Sequence, residues 1–249
     1  MNIRLIRNAT LRLRYNGREL LFDPCLAPKH SIRSFAGVSR NPIVDLPCPI
    51  PEILDGVELL ILSHLHVDHF DPLAQESLPE NLKIFCQPGD EREISDKKFL
   101  DVTPIETSVS WQGITITRTP GKHGTGDVGE RMGKVSGFVF QAEGEPAIFW
   151  AGDTIWYDDV QKVIVQYQPD VIITHSSGAK FGNSDPIVMD AEQTITVCRS
   201  APQATVVAIH LESLDHGTVS RSDLRLIAEQ SGTKRARLLI PDDGERIDF

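Results

Sequence analysis

The sequence predicts a layered α/β fold, with sheets packed face to face and helices outside, and three observations carry that prediction. The first half of the 249 residues is dominated by short strand-like runs. The second half alternates helical and strand patterns. Polar, metal-capable residues recur directly after apolar runs, which would gather them at strand ends.

The elements follow in chain order. Residues 3–6 and 10–15 alternate in the manner of half-buried strands, and Asn16-Gly17 between alternating runs is a hairpin signal leading into a third strand at 19–22. Asp23-Pro24 closes that strand. Residues 26–51 are rich in Pro, Ser and Arg with little periodicity, so they read as a long loop, either a binding element or a surface excursion. A buried strand is expected at 59–62, and Asp71-Pro72 has the form of an N-cap with proline in the first helical turn. Further strands are expected at 82–86, 100–103 and 109–119, the last broken at Gln112-Gly113. A glycine-rich loop, 121–126, precedes strands at 135–141 and 147–151 around a turn at Gly144. Helices at 157–165, 190–200 and 221–230 then precede strands at 170–174, 205–209 and 237–240. No repeat or low-complexity tract interrupts the pattern, and one domain spanning 1–249 is expected.

Composition narrows the function classes. Lys plus Arg number 25 against 35 for Asp plus Glu, and a net charge of -10 disfavours non-specific binding to nucleic acid or an anionic membrane. Cys25, Cys48, Cys86 and Cys198 are scattered without a Cys-x-x-Cys pair, as for reduced thiols in the cytosol. The N-terminal residues lack the apolar core of a signal peptide, and no run of about eighteen apolar residues exists to span a bilayer. A soluble cytoplasmic protein with a small-molecule substrate is the expectation, with a homo-oligomer left open.

The densest chemistry lies at Ile61-Leu-Ser-His-Leu-His-Val-Asp-His-Phe70, where His64, His66, Asp68 and His69 fall within six positions. In a strand, residues two apart point to one side, so His64 and His66 can reach one ion, while Asp68 and His69, past the strand end, turn toward another. Packing these groups together without a cation would leave several polar atoms competing for partners at the edge of an apolar core. His123 in the glycine-rich loop, Asp153 after 147–152 and His210 after 206–209 occupy equivalent positions. Each alone could be a structural residue; four segments delivering such residues at strand ends make a joint site.

With His-x-His-x-Asp-His followed at long range by His, Asp and His, the sequence resembles the metallo-β-lactamase superfamily. The resemblance implies an αββα four-layer sandwich with the site at the sheet edge. It further implies one metal on His64, His66 and His123, a second on Asp68, His69 and His210, and Asp153 bridging both. Leu21-Phe22-Asp23-Pro24, Ala151-Gly152-Asp153-Thr154 and the segment 208–216 resemble the branch similar to L-ascorbate-6-phosphate lactonase. That branch implies a small anionic lactone, ester or phosphodiester as substrate.

Two cations that share a water lower its pKa and hold the resulting bridging hydroxide beside an electrophilic carbon or phosphorus, so no serine or cysteine nucleophile is required. Asp68 is the candidate catalytic residue, taking the water's proton and passing it to the leaving group. An imidazole and carboxylate set without thiolate suits zinc, and also manganese or iron. Asp23 is the first candidate to orient a ligand from behind, and His175 and His216 are candidates for orienting or substrate contacts. A di-iron oxidoreductase and a non-catalytic metal-binding sensor are the alternative readings on the same ligands.

Overall fold

The computed structural model describes residues 1–249. The chain opens with three strands, β1 (Asn2–Arg7), β2 (Thr10–Tyr15) and β3 (Arg18–Phe22). It then alternates α1 (Ile50–Leu54), β4 (Leu59–Ile61), α2 (Pro72–Ser77), β5 (Lys83–Cys86), α3 (Glu91–Lys97) and β6 (Asp101–Pro104). The second run comprises β7 (Ser108–Trp111), β8 (Ile114–Pro120), α4 (Gly126–Met132), β9 (Ser136–Gln141), β10 (Ile148–Trp150), α5 (Asp158–Tyr167) and β11 (Val171–His175). After these come α6 (Ala191–Ser200), β12 (Thr205–Ile209), α7 (Arg221–Gln230), β13 (Leu238–Leu239) and β14 (Arg246–Asp248).

Two seven-stranded sheets result, ordered β14-β1-β2-β3-β4-β5-β6 and β13-β12-β11-β10-β9-β8-β7. Each is parallel where helices cross over, β3 to β6 in one and β10 to β13 in the other, and antiparallel elsewhere. Alternation along the strands decides the layers: Ile3, Leu5, Leu11 and Leu13 face Phe138, Phe140, Trp150 and Ile173 in a core between the sheets. Phe22 meets Phe140 and Trp150 edge-on at centroid distances of 5.4 and 4.7 Å, contacts worth about 0.5–1.5 kcal/mol each beyond their buried area. Behind the first sheet, Leu60 and Ile84 pack on Ile53, Ala74 and Ile94 from α1, α2 and α3. Behind the second, Phe149, Ile172 and Val206 pack on Val160, Ile195 and Leu224 from α5, α6 and α7. This is the αββα sandwich.

The differences from the sequence reading have local causes. Helices α1, α3 and α4 bury one, one and no residues, so they carry too little apolar periodicity to register. Strand β14 has three residues and is recruited only by pairing with β1. Residues 24–49 contain no strand or helix, as expected, apart from one bridge between Ile32 and Asn41. That loop is nevertheless pinned: the fully buried Arg7 guanidinium donates to the carbonyls of Cys25, Ala27 and Val44 at 2.9, 2.8 and 3.1 Å. No helix is long and apolar enough to cross a membrane.

Candidate metal centre

The C-terminal ends of β3, β4, β10, β11 and β12 converge at one edge of the sandwich, and each delivers a polar side chain just as its backbone leaves the sheet. Asp23 and His210 adopt positive φ, 38° and 65°, a conformation unusual for non-glycine residues and concentrated at functional sites. Gly152, at φ 68°, lets Asp153 turn inward where a Cβ would stand 2.6 Å from the Ser136 carbonyl oxygen. The loop after β4 carries His64 to His69 into α2, capped by Asp71, whose side chain accepts from the Leu73 and Ala74 amides.

All seven residues expected to hold metal meet here. His64 Nε2 lies 2.9 Å from His66 Nδ1, and His64, His66 and His123 form one tight group. His69 Nε2 is 3.4 Å from Asp68 Oδ2 and 3.2 Å from Asp153 Oδ2, and His210 Nε2 is 3.6 Å from Asp68 Oδ2 and 3.7 Å from Asp153 Oδ1. Asp153 also approaches the first group, with Oδ2 3.4 Å from His123 Nε2, and so stands between the two.

The outward nitrogens explain why these rings point inward. His69 Nδ1 donates to Asp23 Oδ2 at 2.7 Å and His123 Nδ1 to the Ile187 carbonyl at 2.8 Å. Asp23 also accepts from the Ser63 amide and hydroxyl, which leaves the Ser63 oxygen to accept from His64 Nδ1 at 2.8 Å. In its neutral form each of the three imidazoles thus carries its proton on Nδ1 and turns Nε2 to the interior, the tautomer a metal ligand needs. Burial of His69 is outweighed by the Asp153, Asp68 and Asp23 carboxylates, which hold it well above the ordinary histidine value when no cation balances them. Asp23 is therefore committed to holding Ser63 and His69.

His175 is tied at both ring nitrogens. The Trp150 indole donates to His175 Nε2 at 3.1 Å, so Nδ1 carries the proton and donates to Asp153 Oδ1 at 2.5 Å. Although His175 lies near enough to Asp153, His69 and His210 to be grouped with them, neither of its nitrogens is free to ligate.

A cation fits the centre on two grounds. His69 Nε2 and His210 Nε2 are buried without a hydrogen-bond partner while aimed at carboxylates. Asp23, Asp68 and Asp153 are buried, and their only ion-pair partners are histidines, with no lysine or arginine to balance them. Burial opposes ionisation of Asp68 and Asp153, yet the surrounding His69 and His210 rings hold both carboxyls well below the usual carboxylate range. Burial pushes His64 well below the ordinary histidine value, which keeps it neutral.

A family model described as the β-lactamase superfamily domain matches residues 18–211, a span that contains the whole His/Asp cluster. The chain belongs to the metallo-β-lactamase superfamily. Within this superfamily it is 36% identical to the UPF0173 protein YddR of Bacillus subtilis over the full length of both chains. A crystal structure of a possible metal-dependent hydrolase from Veillonella parvula superposes with a TM-score of 0.95 at 33% identity, covering 99% of this chain and 98% of that one. An isothiocyanate hydrolase from Delia radicum gut bacteria gives a TM-score of 0.95 at 34% identity, covering 100% and 99%. This member of the superfamily is accordingly a metal-dependent hydrolase.

Beside the His/Asp cluster of this superfamily member lies a cavity of about 190 Å³. His66, Asp68, His123 and Asp153 form its floor, and Phe35, Val67, Met132, Phe181 and Ile187 supply apolar walls; no lysine or arginine lines it. A larger, polar groove of about 690 Å³ adjoins it but touches only His123 of the cluster. Phe35 is brought in by the long loop, which Asp215 gathers: its carboxylate accepts from the Ser34 hydroxyl, from the amides of Phe35 at 3.0 Å and Val38 and Ser39 at 3.2 Å, and from Asn41 Nδ2 at 2.9 Å. Burial opposes this charge, but those donors hold Asp215 far below the usual carboxylate range.

Sequence reasoning missed Ser63, Trp150, Asn8, Arg7, Phe35 and Asp215. Asn8 joins the two halves of the site, its amide donating to the Asp68 carbonyl at 3.0 Å while its own carbonyl accepts from the His210 amide at 3.0 Å. Ser63 and Asp215 adjoin residues that the sequence singled out; Asn8 and Arg7 carried no local signal.

Proposed function

We propose that this hydrolase acts on a small, uncharged electrophile with an apolar tail, isothiocyanates being the first class to test, rather than on an anionic lactone, ester or phosphodiester. The observation that carries the reading is the cavity: about 190 Å³, five apolar side chains in its walls, and no cationic side chain to receive an anionic group. The similarity to an isothiocyanate hydrolase at 34% identity over the whole chain supports it.

On this reading His64, His66 and His123 would hold one divalent cation, Asp68, His69 and His210 a second, and Asp153 would lie between them, with zinc or manganese suited to the donors. When bound, such a pair supplies Lewis acidity and a water acidified toward neutral pH. The chain's own residues do the rest. The apolar walls hold the tail and exclude bulk water, directing the N=C=S carbon to the floor of the cavity. Asp68 takes one proton from the attacking water as its oxygen bonds to carbon, and the C=N π pair moves to nitrogen, which receives that proton. Transfer of the second proton to nitrogen and cleavage of the C–N bond then release an amine and carbonyl sulfide, so both hydrogens of water end on the amine.

Elemental analysis of gently purified protein is expected to give close to two metal equivalents, because seven donors exceed the needs of one tetrahedral site; a reproducible zero from metal-replete protein would remove the assignment. Zinc- and manganese-loaded protein is then offered benzyl isothiocyanate, a lactone, a phosphodiester and a thioester. Amine release from the isothiocyanate is expected to exceed turnover of the others. Preference for the phosphodiester or a charged lactone would overturn the substrate reading and leave the metal centre standing.

A further inference from the structure

His216 is the one polar side chain lining the cavity that takes no part in the His/Asp cluster. It is 7% exposed, its Nδ1 is buried without a hydrogen-bond partner, and only charges at a distance act on the ring. The buried Nδ1 is closed off from solvent, whereas Nε2 makes no hydrogen bond within the fold and is not closed off, so it is the nitrogen left to meet a group in the cavity. Its place is fixed from several sides. The Phe35 and Phe181 rings flank it at centroid distances of 5.0 and 5.6 Å, and its carbonyl accepts from the Lys180 amide at 3.0 Å. The preceding residue, Asp215, is clamped by the loop around Phe35 and donates its own amide to Asn41 Oδ1 at 2.8 Å.

We propose that His216 is a further catalytic residue, whose imidazole N–H donates a hydrogen bond to the substrate heteroatom that gains electron density when water adds to carbon. For an isothiocyanate that atom is the nitrogen that takes the C=N π pair, so the inference rests on the substrate reading above for its ligand but on the cavity for its geometry. No proton leaves His216: the water's protons travel by Asp68 to the leaving nitrogen, and the imidazole stabilises charge through a bond already in place, as a donor of an oxyanion hole does. Burial pushes the ring down to about 4, which keeps it a neutral donor with one N–H and one lone pair at physiological pH.

The test compares His216→Phe, which keeps a ring between Phe35 and Phe181, with His216→Gln, which restores an N–H donor. In His216→Phe, kcat for benzyl isothiocyanate is expected to fall roughly 10²-fold with KM changed by less than about threefold, metal content unchanged and the melting temperature within a few degrees. His216→Gln is expected to recover part of that loss. Wild-type kcat in His216→Phe, or an equal loss in both variants accompanied by lost metal, would overturn the proposal. A second arm needs no turnover: metal-loaded, 15N-labelled protein is titrated with benzyl cyanide, an unreactive linear mimic. The His216 N–H resonance, assigned by its disappearance in His216→Phe, is expected to shift. Shifts at the Met132 methyl without any at His216 would also overturn the proposal. A His216 shift in a protein that fails to hydrolyse isothiocyanates would count against the substrate class and in favour of the His216 contact.

Discussion

Asp68→Asn is expected to lower kcat by about 10²-fold or more, the scale of losing general acid–base assistance. The carboxylate of Asp68 lines the cavity floor and lies 3.4 and 3.6 Å from His69 and His210 Nε2, so it can both bind a cation and face the attacking water. Among the seven proposed ligands, His64, His69 and His123 have their second nitrogen tied to Ser63, Asp23 and the Ile187 carbonyl, and Asp153 is held by His175. Asp68 has its backbone carbonyl anchored by Asn8 and its side chain left to the site. Asparagine keeps the volume and one oxygen donor but cannot take a proton. Metal content should therefore fall less than in His66→Ala, which deletes a donor outright. Both quantities are to be measured on the same preparations, and undiminished turnover in fully loaded Asp68→Asn protein would deny the residue a catalytic part.

Arg7→Met is expected to cost about 3–5 kcal/mol of stability, because three carbonyls lose their buried, charged donor. Arg7 is fully buried, and the three carbonyls it serves, those of Cys25, Ala27 and Val44, belong to the loop that carries Phe35. Methionine fills much of the space of the side-chain stem but offers no donor, and each buried carbonyl left unpaired adds on the order of 1–3 kcal/mol unless water enters. The damage should concentrate in the loop. Denaturant unfolding gives the stability, and limited proteolysis should show new cleavage among residues 26–44 before the sheets are cut. An unchanged midpoint together with an unchanged cleavage pattern would mean that Asp215 and the remaining contacts suffice to hold the loop.

What could be read along the chain is what local physics writes there. Period-two alternation marked β1, β2 and the run into β3, and the Asn16-Gly17 turn between them is chemistry of adjacent residues. The Asp71-Pro72 cap and the helices α5, α6 and α7, which bury apolar stripes, were legible for the same reason. Helices α3 and α4 bury too little to leave a pattern, and β14 exists because β1 offers it an edge.

The metal centre divides in the same way. His64, His66, Asp68 and His69 stand within six residues, and His123, Asp153 and His210 each follow an apolar strand, so the sequence by itself determined which candidate donors the layered fold brings together. Only the tertiary structure decided which groups hold those candidate donors in place and which side chains line the cavity beside them. Asp23 and His69 are 46 residues apart, Trp150 and His175 are 25 apart, and Ser34 and Asp215 are 181 apart. Hydrogen bonds across such separations, and the apolar wall assembled from Phe35, Met132 and Phe181, arise when two sheets close on one core; no periodicity or local motif encodes them, because each partner's role exists only once the other is in place.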